Sequence, residues 1–356
     1  MDMLNLPKKV YFKNGSANVA LRELSEIYHM KRAFLVSNPR LYRSGVVSSI
    51  GRQLQKQGIR TAEFFSIGAV PSFSELRSGL PKLLEFEPDV IIGIGGGAAM
   101  SAAKALWLLY ENPGLDLAEA AESPVHICTG IDAKLVLVAT SFGSGAQNSP
   151  FSVLKDDAGG TCVINSFQLL PDISVTDARF TESLSPAQVK ACGLTTLSQA
   201  IRAFASSGCS EYTQGLLRET VQAVLKNLKA AESGCPIALE KLHNAAALAG
   251  AAYGNGMDTI DFTVPFYPTT TEKAADHDQS GIKIVGVQKA LRVLSHVCQL
   301  GTDNVGRVGG QHRIWLAQLA DVGKQFSFDL KLFNNGLDYQ IGFGDGFIYV
   351  TGDNQP

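Results

Sequence analysis

The sequence predicts an α/β fold in which an N-terminal parallel-sheet domain, residues 1–178, precedes a mainly α-helical domain, residues 179–356. Three observations predict it. Short apolar runs alternate with amphipathic ones from Lys9 to about Asp177, the rhythm of strands joined by helical crossovers. One such run, Val90-Ile91-Ile92-Gly93-Ile94, has no polar side chain and so suits a central strand buried on both faces. After Asp177 the texture changes to long helical patterns, with no clear strand for many residues.

The elements follow in order. Val10-Tyr11-Phe12 reads as a first strand and Ala17 to His29 as a helix. Arg32 to Val36 is a second strand, after which Asn38-Pro39 signals a helix start and Val46, Val47, Ile50 and Leu54 recur at helical spacing. A strand near Thr61 to Phe65 precedes a helix from about Ser72 to Phe86. The buried run ending at Ile94 is followed by Gly95-Gly96-Gly97 and an amphipathic helix, Ala98 to Tyr110. Lys134 to Val138 is a further strand, followed by the mostly small and hydroxylated residues Thr140 to Ser144. Helices are expected over Pro186–Ala205, Glu211–Ala231 and Ile237–Tyr253. In the tail, Leu337 to Thr351, Tyr339, Ile341, Phe343, Phe347 and Tyr349 alternate among glycines as in a hairpin.

Bulk properties narrow the function classes. At 356 residues the chain exceeds the ~250–300 residues that one hydrophobic core spans, so two domains are expected. Apolar residues make up 45% and charged residues 18%, the profile of a well-buried α/β enzyme. The net charge of −2, without blocks of lysine or arginine, argues against nucleic-acid or anionic-membrane partners. No stretch reaches the ~18 apolar residues of a membrane span and Met1 to Lys9 has no leader pattern, so a cytoplasmic location is expected. Cys128, Cys162, Cys192, Cys209, Cys235 and Cys298 form no CxxC pair, so neither a zinc knuckle nor a disulfide framework is suggested.

The chemistry gathers at strand ends. A glycine turn between a buried strand and a helix lets the backbone approach an anion, and the free N–H groups of the helix start point at it. Three glycines also suit a plain tight turn. Ser37-Asn38 and Thr140-Ser141, at the ends of other parallel strands, would share the same carboxyl edge, where open α/β sheets bind ligands.

These residues resemble the iron-containing alcohol dehydrogenase family, with its glycerol dehydrogenase and dehydroquinate synthase relatives. The family's GGGSxxDxAK is similar to Gly95-Gly96-Gly97-Ala98-Ala99-Met100-Ser101-Ala102-Ala103-Lys104, and its PTTAGTGSE to Ala139-Thr140-Ser141-Phe142-Gly143-Ser144-Gly145-Ala146-Gln147. Val70-Pro71-Ser72 resembles its NPT, and Asp177 through Ser185-Pro186 its DPxLxxxLP segment. The resemblance covers about residues 8 to 260. It implies a Rossmann-like domain followed by the helical domain of the dehydroquinate synthase-like fold, with NAD or NADP held by Asn38, Pro71, Gly95, Gly96, Gly97, Ser101, Thr140, Ser141 and Ser144. Where NAD-using relatives carry an Asp, neutral Asn38 with Arg40 nearby permits the 2′-phosphate of NADP(H).

In this family an Asp and three His hold a catalytic divalent metal. The aligned segment Gly193 to Arg202 has Thr195 at the Asp position and Gln199 at the first His position, Phe262 stands at the next, and His277 at the last. Neutral hydroxyl and amide oxygens are poor ligands for iron or zinc, so no transition metal is expected. Asp258, Asp261, Asp276, His277 and Asp278 read as a polar loop rather than a magnesium site, and His29, His126, His243, His296 and His312 as ordinary surface or core residues. Without a Lewis acid, a side chain must donate to the reacting oxygen, and Tyr267, His277 and Tyr253 are the candidates by aligned location.

Three readings remain open. One is a metal-independent NAD(P)-linked oxidoreductase with a small carbonyl or alcohol substrate in the cleft between the domains. A second is elimination, cyclisation or condensation on a biosynthetic intermediate, and a third is a non-catalytic homologue. The resemblance also carries the expectation of a homodimer.

Overall fold

The computed structural model describes residues 3–123, 127–204, 206 and 208–256, together with the strands at 328–331, 338–344 and 347–352. Contacts divide the chain into two units, one of Met1–Phe262 with Phe266–Thr271, the other holding Thr263–Pro265 and Glu272–Pro356.

In the first unit β1 (Lys9–Phe12), α1 (Ser16–Glu26) and β2 (Arg32–Val36) are followed by α2 (Pro39–Arg43), α3 (Val46–Lys56) and β3 (Arg60–Phe64). Next come α4 (Phe73–Phe86), β4 (Val90–Gly95), α5 (Gly97–Glu111), α6 (Leu117–Glu122) and β5 (Lys134–Ala139). An antiparallel hairpin, β6 (Phe151–Lys155) and β7 (Thr161–Asn165), then leads to β8 (Ile173–Thr176). Six of these strands form one parallel sheet in the order β1-β8-β5-β4-β2-β3. The sequence reading finds neither the hairpin nor β8.

Side chains alternate across the sheet, so one apolar run feeds two cores. Phe34, Val36, Ile91, Leu135 and Leu137 pack with α4, α5 and α6 on one face. Ala33, Leu35, Ile92, Ile94, Val136 and Val138 pack with α1 and α3 on the other. Local signals start the helices. Asn38 Oδ1 accepts from Leu41 N at 2.9 Å, and Ser72 and Glu75 form a reciprocal capping box at α4. The expected amphipathic character of α5 is corrected here: from Ala99 to Leu109 every side chain is buried, because α5 lies between the sheet and the hairpin.

Three long helices complete this unit: α7 (Pro186–Phe204), α8 (Glu211–Glu232) and α9 (Pro236–Gly256). The sequence reading divides the chain at 178/179, whereas contacts group these helices with the sheet. The physical reason is a backbone-to-backbone approach. A β-carbon at Gly250 would stand 2.1 Å from Gly145 O, and one at Gly254 2.3 Å from Pro150 Cδ, so α9 lies directly on the loop that leaves β5. No helix among the described residues is long and apolar enough to cross a membrane.

In the second unit β9 (Phe328–Lys331), β10 (Asp338–Gly344) and β11 (Phe347–Gly352) form an antiparallel sheet with β10 central. Gly344 pairs with Phe347 and Tyr339 with Gly352, which is the hairpin that the alternating aromatics predict.

Candidate functional site

The carboxyl edge of the sheet gathers the ends of β2, β4 and β5. Ser37, fully buried after β2, donates from Oγ to Ile94 O at 2.8 Å, and Thr140 N donates to Gly95 O at 3.0 Å. These bonds fix three strand ends against one another. The glycine turn therefore has walls. A β-carbon at Gly96 would stand 2.9 Å from Ser141 Oγ, and one at Gly97 3.3 Å from Ser144 Oγ. Gly96 is the N-cap of α5 and offers no side chain, and the amides of Gly97, Ala98 and Ala99 have no acceptor among the described residues. Gly97 and Ala98 are half-exposed, so their N–H groups at the positive end of a helix, beside two hydroxyls, can receive an anion.

The remaining sequence candidates fall in different places. Asn38 is on this edge, but its Oδ1 is engaged as the cap of α2; Arg40, two residues on, is exposed. Pro71, before α4, presents its carbonyl to Lys155 N at 2.8 Å. Ser101 is turned from the glycine turn toward the hairpin: its Oγ accepts from Val153 N at 3.1 Å and its carbonyl from Ser152 Oγ at 2.8 Å. Tyr253 is buried in α9, edge-on to Phe151 with ring centroids 5.8 Å apart. Tyr267 and His277 lie outside the described residues, as do Asp258, Asp261, Phe262, Asp276 and Asp278.

At Thr195 and Gln199 on α7, which the resemblance would set at metal-ligand positions, the donor chemistry does not fit a transition metal. Thr195 Oγ1 donates to Ala191 O at 2.8 Å, within its own helix. Gln199 Nε2 donates to Ser144 O at 3.3 Å, and its Oε1 is buried without a partner among the described residues. Neither oxygen carries charge to offset a divalent cation. Gln199 instead ties α7 to the wall of the glycine turn.

Three groups are assigned no site role by the sequence. Lys104 is fully buried; burial pushes its amine down to about 7, although three carbonyl acceptors call for the charged form. Its sequence signal is the lysine that closes the run resembling GGGSxxDxAK, but that run does not reveal its partners. Asp177 is buried at the end of β8, and burial alone would raise its carboxyl. Hydrogen bonds from Arg179, Ala17 N and Gly15 N outweigh that and hold it below the usual range. His243, read from the sequence as ordinary, is fully buried in α9 beside Phe142, with both ring nitrogens unpartnered among the described residues. Burial depresses it to about 4 against a small opposing pull from Asp177, so the ring is neutral at neutral pH. Depressions lined by Asn112, Asp116 and Glu119, and by Glu182, Pro186 and Leu239, lie away from the glycine turn.

Comparison with known proteins places this geometry among relatives. The family model "Iron-containing alcohol dehydrogenase" matches residues 7–178. Aldehyde-alcohol dehydrogenase 2 of Entamoeba histolytica is 33% identical over 272 residues, covering 72% of this chain and 31% of that protein. The bifunctional aldehyde-alcohol dehydrogenase of Escherichia coli strain K12 is 34% identical over 262 residues, covering 70% and 29%. The chain thus spans about a third of the length of these curated relatives. Among solved structures, sulfoacetaldehyde reductase from Bifidobacterium kashiwanohense in complex with NAD+ superposes with a TM-score of 0.69 at 18% identity, covering 90% of this chain and 92% of that one, a likeness of fold.

Proposed function

We propose that this chain, of which residues 7–178 match the iron-containing alcohol dehydrogenase family model, is an NAD(P)-linked oxidoreductase of that superfamily that interconverts a small carbonyl compound and its alcohol without a catalytic transition metal. One observation carries the reading: the Gly96-Gly97 turn, bare of side chains and with free amides at the start of α5, lies so near the Ser141 and Ser144 hydroxyls that a β-carbon at either glycine would crowd them. A dinucleotide diphosphate lying over that bare turn meets amides and hydroxyls together.

A nicotinamide dinucleotide, when bound, supplies the site that accepts or releases hydride. The chain's own residues do the rest. The amides of Gly97 and Ala98 take the diphosphate charge, Ser141 and Ser144 donate hydroxyl hydrogens to it, and Gly95 and Thr140 fix the turn by their backbone bond. Asn38 and Arg40 present no carboxylate to a ribose 2′-phosphate, so NADP(H) is permitted alongside NAD(H). The buried, unpartnered Gln199 Oε1 accepts a hydrogen bond near the substrate. Protonation of the reacting oxygen falls to Tyr267, His277 or Tyr253. The working form is a cytoplasmic homodimer.

The replacements Thr195 and Gln199 also favour a second reading, non-redox chemistry on a phosphorylated intermediate held at the same glycine turn. Titration of the purified protein with NADH and NADPH, followed by cofactor fluorescence, together with elemental analysis, separates the two. Dinucleotide binding without stoichiometric iron or zinc is expected. Binding of inorganic pyrophosphate but of neither dinucleotide would favour the second reading, and stoichiometric iron would sink the metal-free mechanism.

A further inference from the structure

One buried charge-bearing group has no part in the chemistry above. Lys104 lies seven residues beyond Gly97 on the same helix, so about two helical turns separate the amine's Cα from the glycine turn. Its Nζ donates to Ala146 O and Phe151 O, each at 2.9 Å, and to Ser149 O. Three acceptors match the three N–H bonds of an ammonium group, where a neutral amine has two. All three carbonyls belong to the end of the segment that leaves β5, turns at Gly143 and Gly145 with positive φ, and enters β6. That same segment carries Ser141 and Ser144. One turn earlier on α5, Ser101 fastens the hairpin through Ser152 and Val153.

We propose that Lys104 is a positioning residue for the dinucleotide: it ties the loop between β5 and β6 to α5 and so holds the serine wall in register with the glycine wall. The two walls come from different strand ends, and a loop rich in glycine and serine has little shape of its own. Anchoring it to the helix that begins at the glycine turn makes both walls parts of one rigid piece. The dinucleotide then meets a preorganised surface of amides and hydroxyls and need not order the loop on binding. The geometry of the clamp stands by itself; its effect on affinity rests on the dinucleotide reading.

The test uses the full chain and two readouts. In K104M, amide hydrogen exchange over residues 140–149 is expected to quicken while strand 90–95 stays protected. The Kd for NADPH, by fluorescence, is expected to rise about tenfold. Replacing Ser141 and Ser144 together by Ala should cost about tenfold in the parent protein but under about threefold in K104M, because the clamp acts through those hydroxyls. If K104M does not fold, K104Q, which keeps two donors, is expected to show the same pattern at smaller size. Unchanged exchange over 140–149, or full additivity of the substitutions, overturns the proposal. A parent protein that binds no dinucleotide would sink the functional reading alone, and the exchange result would still decide the clamp.

Discussion

A single methyl group distinguishes two roles of glycine at this site. At Gly96 the added carbon would meet Ser141 Oγ in a half-exposed gap, whereas at Gly93 it would meet Ala103 Cβ and Leu137 Cδ2, both at 2.7 Å, inside the core. Gly96→Ala is therefore expected to raise the dinucleotide Kd about tenfold with little change in the urea midpoint. Gly93→Ala is expected to cost about 1–3 kcal/mol of stability by overpacking, read as a lower urea midpoint. His243 supplies a pH dependence. Its folded pKa, about 4, lies below the ordinary 6.5, so between those values the unfolded chain takes a proton that the buried ring refuses. Above pH 6.5 there is no penalty. Acidification through this window is expected to remove up to about 3 kcal/mol, and thermal melts of His243→Leu should show a flatter acid limb. An equal slope in both proteins would discount the imidazole.

At the level of elements, legibility follows from how local the cause is. The capping box of α4 is written in Ser72 and Glu75, three residues apart, and Ser72→Ala is expected to cost about 1 kcal/mol in chemical denaturation. Strand β4 is legible because its side chains are apolar and buried on both faces. Strand β8 is not, since Ile173-Ser174-Val175-Thr176 is only four residues long and is placed by pairing with β1 and β5, distant in sequence. The hairpin had a signal in Asp156-Asp157-Ala158-Gly159-Gly160 between two short apolar runs. Helix α5 looks amphipathic because Ser101 and Lys104 are polar, but their partners are carbonyls and an amide of the hairpin segment, which no pattern within the helix reveals. Much the same holds for the site. The glycine turn and its serines stand out in the sequence, whereas Gln199 and Lys104 gain meaning only from the loops they touch.

For the whole molecule, the compact unit that holds the sheet and α7 to α9 also holds the glycine turn and both serines. A chain ended at Thr271 is expected to melt cooperatively within about 5 °C of the full protein and to keep its NADPH affinity, as calorimetry and fluorescence titration would show. A large loss of either would mean that later residues help form the site. The strand order also constrains how the protein is made. Strand β1 lies at the rim, and β8 is its only neighbour in the sheet. Strand β1 thus has no partner in this sheet until the chain has been synthesised past Thr176. Through that interval its unpaired edge stays open to other nascent chains, so a delay in translation between the codons for Lys9 and Thr176 should favour aggregation, and faster passage should favour the native sheet.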